Sequence, residues 1–136
     1  MRIIFPFLML ALFLFSFISP LTLEIKINGL KNNQGQILLE FQDEKTGSIK
    51  GFSQEIVNNQ CIITIDNLSP GKYTFKYFHD ENSNEKIDVN WLGIPKEGYG
   101  FSNNAKGTFG PPSHEKMIFE LTADTTINCT PTYINQ

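Results

Sequence analysis

Apolar and polar residues alternate along this chain in short runs separated by clusters of Asn, Gly, Ser and Pro. From Leu21 to Asn28, the apolar Leu21, Leu23, Ile25 and Ile27 alternate with Thr22, Glu24, Lys26 and Asn28. A period of two sends successive side chains to opposite faces of an extended backbone, so this run predicts a strand with one buried face. Ile37, Leu39 and Phe41 repeat the pattern against Gln36, Glu40 and Gln42 after the turn cluster Asn32 to Gly35, and the two runs read as a hairpin. Asp43 to Gly51 is polar and turn-like, and a weaker strand is expected around Phe52 to Ile56. Cys61, Ile63 and Ile65 alternate in the next strand before Pro70 and Gly71 reverse the chain. Tyr73, Phe75 and Tyr77 then share one face, opposite Thr74, Lys76 and Phe78. Two last strands are expected at Lys116 to Thr122 and Thr125 to Tyr133, with Met117, Phe119 and Leu121 on one side of the first and Ile127, Cys129 and Tyr133 on one side of the second.

No stretch after Leu21 sustains a 3.6-residue period with caps. About seven short strands joined by turn clusters predict an all-β fold, an antiparallel β-sandwich. Its expected core is Ile25, Ile27, Leu39, Phe41, Ile63, Ile65, Phe75, Tyr77, Phe119, Leu121 and Ile127.

Composition adds a compartment. Arg2 precedes a nearly unbroken apolar run from Ile3 to Ile18, the pattern of a secretory leader over residues 1–20, with an uncleaved membrane anchor as the alternative. No lipoprotein cysteine follows it. Residues 21–136 make a single domain, since about 115 residues support one core. The location expected is exported: periplasmic, cell-surface or secreted. Losing Arg2 takes the formal charge from −3 to −4, and the remaining cations are lysines that form no run, which argues against nucleic acid as a partner. Membrane attachment is expected only through an uncleaved leader. After export, Cys61 and Cys129 are expected to pair as a disulfide, with two buried free thiols as the alternative.

The chemistry concentrates in one loop, His79 to Pro112. It is long for a domain of this size, and connections of roughly thirty residues usually carry function or local structure. Asp80, Asn82, Asn84, Lys86 and Asp88 recur at every second position, the spacing by which a short loop turns alternate oxygens toward a hard cation, with Lys86 contributing its carbonyl. Calcium is the expected cation. Against the EF-hand pattern the match fails twice, because Glu85 stands where the sharp turn wants Gly and Trp91 where a bidentate Glu is needed. Glu97 or Asn90 is available to complete the shell. The competing reading is an Asx-rich loop that closes on its own backbone. Downstream, Trp91, Glu97, Tyr99, Phe101, Asn103 and Asn104 combine aromatic surfaces with polar groups, as a site for a small ligand, a glycan or an envelope protein would; the same aromatics would also serve to pin the loop to the sheet. His79 and His114 have no His or Cys partner at zinc-ligand spacing, and no nucleophile-elbow pattern is present.

The run "LSPGKYTFKYFHDENSNEKIDVNWLGIPKEGYGFSNNAKGTFGPPSHEKMIF" closely resembles the bacterial exported family known as domain of unknown function 2141. The resemblance covers most of the chain after the leader and implies a transthyretin-like or Ig-like β-sandwich with no established activity. It also implies glycines near Ser83 and Glu85, where this chain departs from the family pattern. The function expected is a non-enzymatic exported domain binding a cation, ligand or partner through residues 79–112. The alternative is an envelope hydrolase acting on glycans or peptides through Asp80, Glu97 or His79.

Overall fold

The computed structural model describes residues 16–134. Residues 1–15, most of the run expected to be a leader, lie outside the described residues; Ser16 to Pro20 are exposed and carry no regular structure. Among the described residues eight strands, where about seven are expected, form two sheets in the all-β fold that the alternating pattern predicts. In one, β1 (Leu21–Ile27) lies between β4 (Cys61–Leu68) and β8 (Thr125–Cys129). In the other the order is β3 (Ile49–Glu55), β2 (Gln36–Asp43), β5 (Gly71–Asp80), then β6 (Tyr99–Phe101), with β7 (Phe119–Leu121) pairing with the start of β5.

The core lies between the sheets. Leu23, Ile25 and Ile27 on one face of β1 are fully buried, joined by Ile63 and Ile65 of β4. Ile37, Leu39, Phe41, Tyr73, Phe75 and Tyr77 meet them from the facing sheet. Phe119 and Ile127 are only half-buried, because they stand on edge strands where one flank lacks a neighbour.

Three expectations about pairing are corrected. β1 and β2 do not form a hairpin; β1 pairs with β4 and β8, while the chain crosses to the other sheet through a left-handed Gly29 (φ 72°) and the buried Leu30. The sheets are not wholly antiparallel, since β1 and β8 run parallel. The cysteines do not form a disulfide. Cys61 and Cys129 both stand opposite Ile27, one on each side of β1. Two inter-strand spacings of about 4.8 Å separate their Cα atoms by about 9–10 Å, beyond the roughly 7 Å a disulfide spans.

Both are buried free thiols, and burial pushes Cys61 up to about 11 and Cys129 up to about 12. Melting of the purified protein should therefore be the same with and without reductant, and a thiol reagent should label both cysteines only after unfolding. A lower melting temperature in reductant would restore the disulfide.

Candidate functional site

The loop after β5 has structure of its own. Asp80, the last residue of β5, is completely buried, and its carboxylate accepts the amide N–H of Asn84 (3.1 Å) and of Glu85 (3.0 Å). Glu97, 4% exposed, accepts from the N–H of Glu81 (3.1 Å) and of Asp88 (3.0 Å), and so ties the two ends of the turn together. Asn82 and Asn84 each accept a backbone N–H two residues on, as Asx turns. Their amide nitrogens donate to opposite oxygens of Asp88, at 2.7 and 3.0 Å. Asp80, Asn82, Asn84 and Asp88 are thus gathered into one turn, with Lys86 donating its N–H to the Asn84 side-chain oxygen. Ser83 (φ 56°) and Glu85 (φ 63°) take left-handed conformations. The resemblance implies glycines near these positions, and side chains in this conformation carry a strain of about 1–2 kcal/mol each.

Desolvation pushes the Glu97 carboxyl up, and repulsion from Asp88 and Asp80 adds to it against the two backbone bonds. A carboxyl with a raised folded-state pKa loses stabilising effect as pH rises through the unfolded and then the folded value, so at neutral pH this crowding works against the fold. Among the described residues, no three His, Cys, Asp or Glu side chains are close enough to hold a metal ion by themselves. A cation here would depend on amide and carbonyl oxygens as well.

Asp88 to Lys96 continues as a small hairpin. Lys96 N–H donates to the Asp88 carbonyl (2.8 Å), Val89 bridges Pro95, and the Asn90 side chain accepts from Leu92 and Ile94. This places Leu92 and Ile94 over the outer face of the β3-β2-β5-β6 sheet. Beneath the hairpin that face is mostly apolar. One cross-strand row runs Ser53, Leu38, Phe78, Tyr99, and the next runs Gly51, Glu40, Lys76, Phe101. Between the sheet, the hairpin and the segment Phe109 to Pro111 lies an open groove of about 1060 Å³. Glu40 and Lys76 pair with each other on its floor at 2.9 Å.

The sequence-predicted ligand residues divide. Tyr99 and Phe101 line the groove, edge to face at 6.0 Å. Trp91 is 91% exposed and does not line it. Glu97 braces the turn. Asn103 and Asn104 anchor the backbone, Asn103 donating to the carbonyls of Lys116 and Ile118, and Asn104 donating to Asn128 and accepting from Thr130. Leu38 and Phe78, which the alternation places on the outward faces of their strands, form the groove floor. Two bulky apolar side chains on outward positions are the sequence signal that marks them.

The histidines are engaged elsewhere. His79 is fully buried, with Nε2 donating to the Gln34 carbonyl (2.7 Å) and Nδ1 bonded to the Tyr133 hydroxyl (2.9 Å), which also accepts the Lys31 N–H. His114 pairs with Glu44 at 2.8 Å.

The family model described as "Uncharacterized protein conserved in bacteria (DUF2141)" matches residues 25–128. The chain belongs to this family. The match runs from within β1 to within β8, so most of both sheets, the carboxylate turn and all of the groove lining but Ile134 in this DUF2141 member fall within it. No curated protein and no solved structure matches the chain.

Proposed function

We propose that this DUF2141 member is an exported, non-enzymatic binding domain whose turn from Asp80 to Asp88 takes a calcium ion and thereby fixes the hairpin that follows. The observation that carries this reading is the meeting of the Asn82 and Asn84 side chains at the two carboxylate oxygens of Asp88. A half-turn of each amide replaces its nitrogen by its oxygen at the same place, leaving two amide oxygens and a carboxylate facing one point, and the Lys86 carbonyl is proposed as a further ligand. The rotation gives up two Asx-turn bonds, of about 1 kcal/mol each, and the two amide bonds to the Asp88 carboxylate, of about 1.5–3 kcal/mol each, which the ion must replace. Binding also relieves the repulsion among Asp80, Asp88 and Glu97. Export is supported by the apolar run after Arg2.

The hydrolase alternative draws less support. Acid/base work needs two carboxyl groups facing a substrate across an open cleft. Here both oxygens of Asp80 and both of Glu97 receive backbone N–H groups, and His79 is enclosed with both ring nitrogens bonded.

Melting followed in calcium and in chelator tests the proposal. At a hundredfold excess of calcium over its dissociation constant, stability should rise by about 2.7 kcal/mol, and chelator should reverse it. Asp88→Ala should remove the response. Asp80→Ala should destabilise by about 1.5–3 kcal/mol even in chelator, because two backbone donors lose a charged acceptor. A melting temperature that ignores calcium while Asp80→Ala still destabilises rejects the ion and leaves a self-closed Asx turn.

A further inference from the structure

The groove on the outer sheet face is a second feature, one wall of which is the hairpin that follows the turn. We infer that it is a binding site for one uncharged ligand bearing an alkyl chain. Four lines of observation converge on that class.

The first is size. At about 1060 Å³ the groove is at the upper end of ligand sites, and its floor crosses four strands from β3 to β6. Three inter-strand steps of about 4.8 Å give a path about 14 Å long, which suits an extended chain better than a compact ring. The second is lining. Leu38, Phe78, Tyr99, Phe101, Leu92 and Ile94 present carbon on floor and wall, the composition by which apolar ligands are held.

The third is charge. Among the described residues the only cation lining the groove, Lys76, is neutralised by Glu40 beside it, and the other charged lining residue, Glu85, is itself acidic. An anionic headgroup would have to break the Lys76–Glu40 pair, and a neutral one need not. The fourth is shape at β3. Gly51 and Ser53 are the small members of the two floor rows, and a side chain started at Gly51 would meet nothing within 4 Å. That end of the floor is left open where a larger residue would have closed it. A flat membrane surface does not follow a concavity. A second copy of the chain would have to offer a convex match to its own groove.

Fluorescence titration of the purified protein with Nile red, an uncharged apolar dye, tests the inference. Saturable binding to one site per chain is expected, with dodecanol displacing the dye and dodecanoate doing so about tenfold less well. Gly51→Trp, which fills the open end from an exposed edge strand, should weaken dye binding about tenfold or more at an unchanged melting temperature. Ile62→Ser, which removes an exposed apolar side chain from the opposite sheet, should leave it unchanged. Dye binding that is lost in Gly51→Trp but displaced equally by dodecanol and dodecanoate overturns the uncharged class and keeps the groove as the site. Dye binding insensitive to Gly51→Trp overturns the site itself. A dimer that Gly51→Trp dissociates, with no dye bound to either form, assigns the groove to a second copy and also overturns the inference. The hairpin that forms one wall of the groove follows the proposed ion site, so the titrations are run in calcium throughout; Gly51→Trp then tests the groove, and calcium-dependent melting tests the ion separately.

Discussion

Phe75→Ala is expected to destabilise the domain by about 3–5 kcal/mol. Phe75 lies at the middle of β5, the strand that pairs with β2, β6 and β7, and it is 2% exposed. Its ring meets Phe119 edge to face at 5.8 Å and packs 6.4 Å from Tyr77. Truncation removes apolar surface from between the sheets and leaves a cavity that strands held on both flanks do not collapse to fill. The amide of Phe75 donates to the buried Ser102 hydroxyl, a bond that truncation of the side chain spares. Lys76→Ala, one residue on and on the opposite face, breaks an exposed ion pair with Glu40 and should cost less than about 1 kcal/mol. Urea unfolding of the two variants at an unchanged slope measures the contrast. Comparable losses would mean that the register of β5 is misassigned.

Gly35→Ala should cost about 2–5 kcal/mol, through two separable effects. Gly35 has φ 67°, where an alanine carries about 1–2 kcal/mol of strain. A methyl group there would also clash with the Asp80 carbonyl oxygen and come within 3 Å of the Asp80 and Glu81 carbonyl carbons. Those are backbone atoms at the end of β5, paired to β2 through Gln36 and Asp80, so relief requires moving the strand or the turn. Such overpacking typically adds about 1–3 kcal/mol. Gly47→Ala isolates the first effect, because Gly47 has φ 71° with nothing within 4 Å of the added carbon, and its cost should stay near 1–2 kcal/mol. Because the displaced atoms belong to Asp80, Gly35→Ala should also weaken any calcium response. Equal losses at Gly35 and Gly47 in urea unfolding would show that the close approach to Asp80 is absent in solution.

The alternation at Leu21–Ile27, Gln36–Asp43, Cys61–Leu68 and Gly71–Asp80 was enough to identify strands and to pick eight of the eleven expected core residues, all of them buried; Leu121 on β7 is a ninth. Alternation reports how each residue divides between water and the interior, which is a property of one strand at a time. The spacing of oxygens from Asp80 to Asp88 was legible for the same reason, since a turn of nine residues closes on itself. Tertiary structure decided the partners. Whether β1 pairs with β2 or with β4 and β8 depends on residues about forty and a hundred positions away, and the same buried face satisfies either pairing. The cysteines show this most simply: both face the interior as their registers predict, yet β1 stands between them. β6 is three residues long, too short for a period to show, and is a strand only because β5 offers an edge beside it. The groove required the same assembly, since Leu38, Phe78 and Tyr99 come from three separate runs and form one surface only when their strands are set side by side.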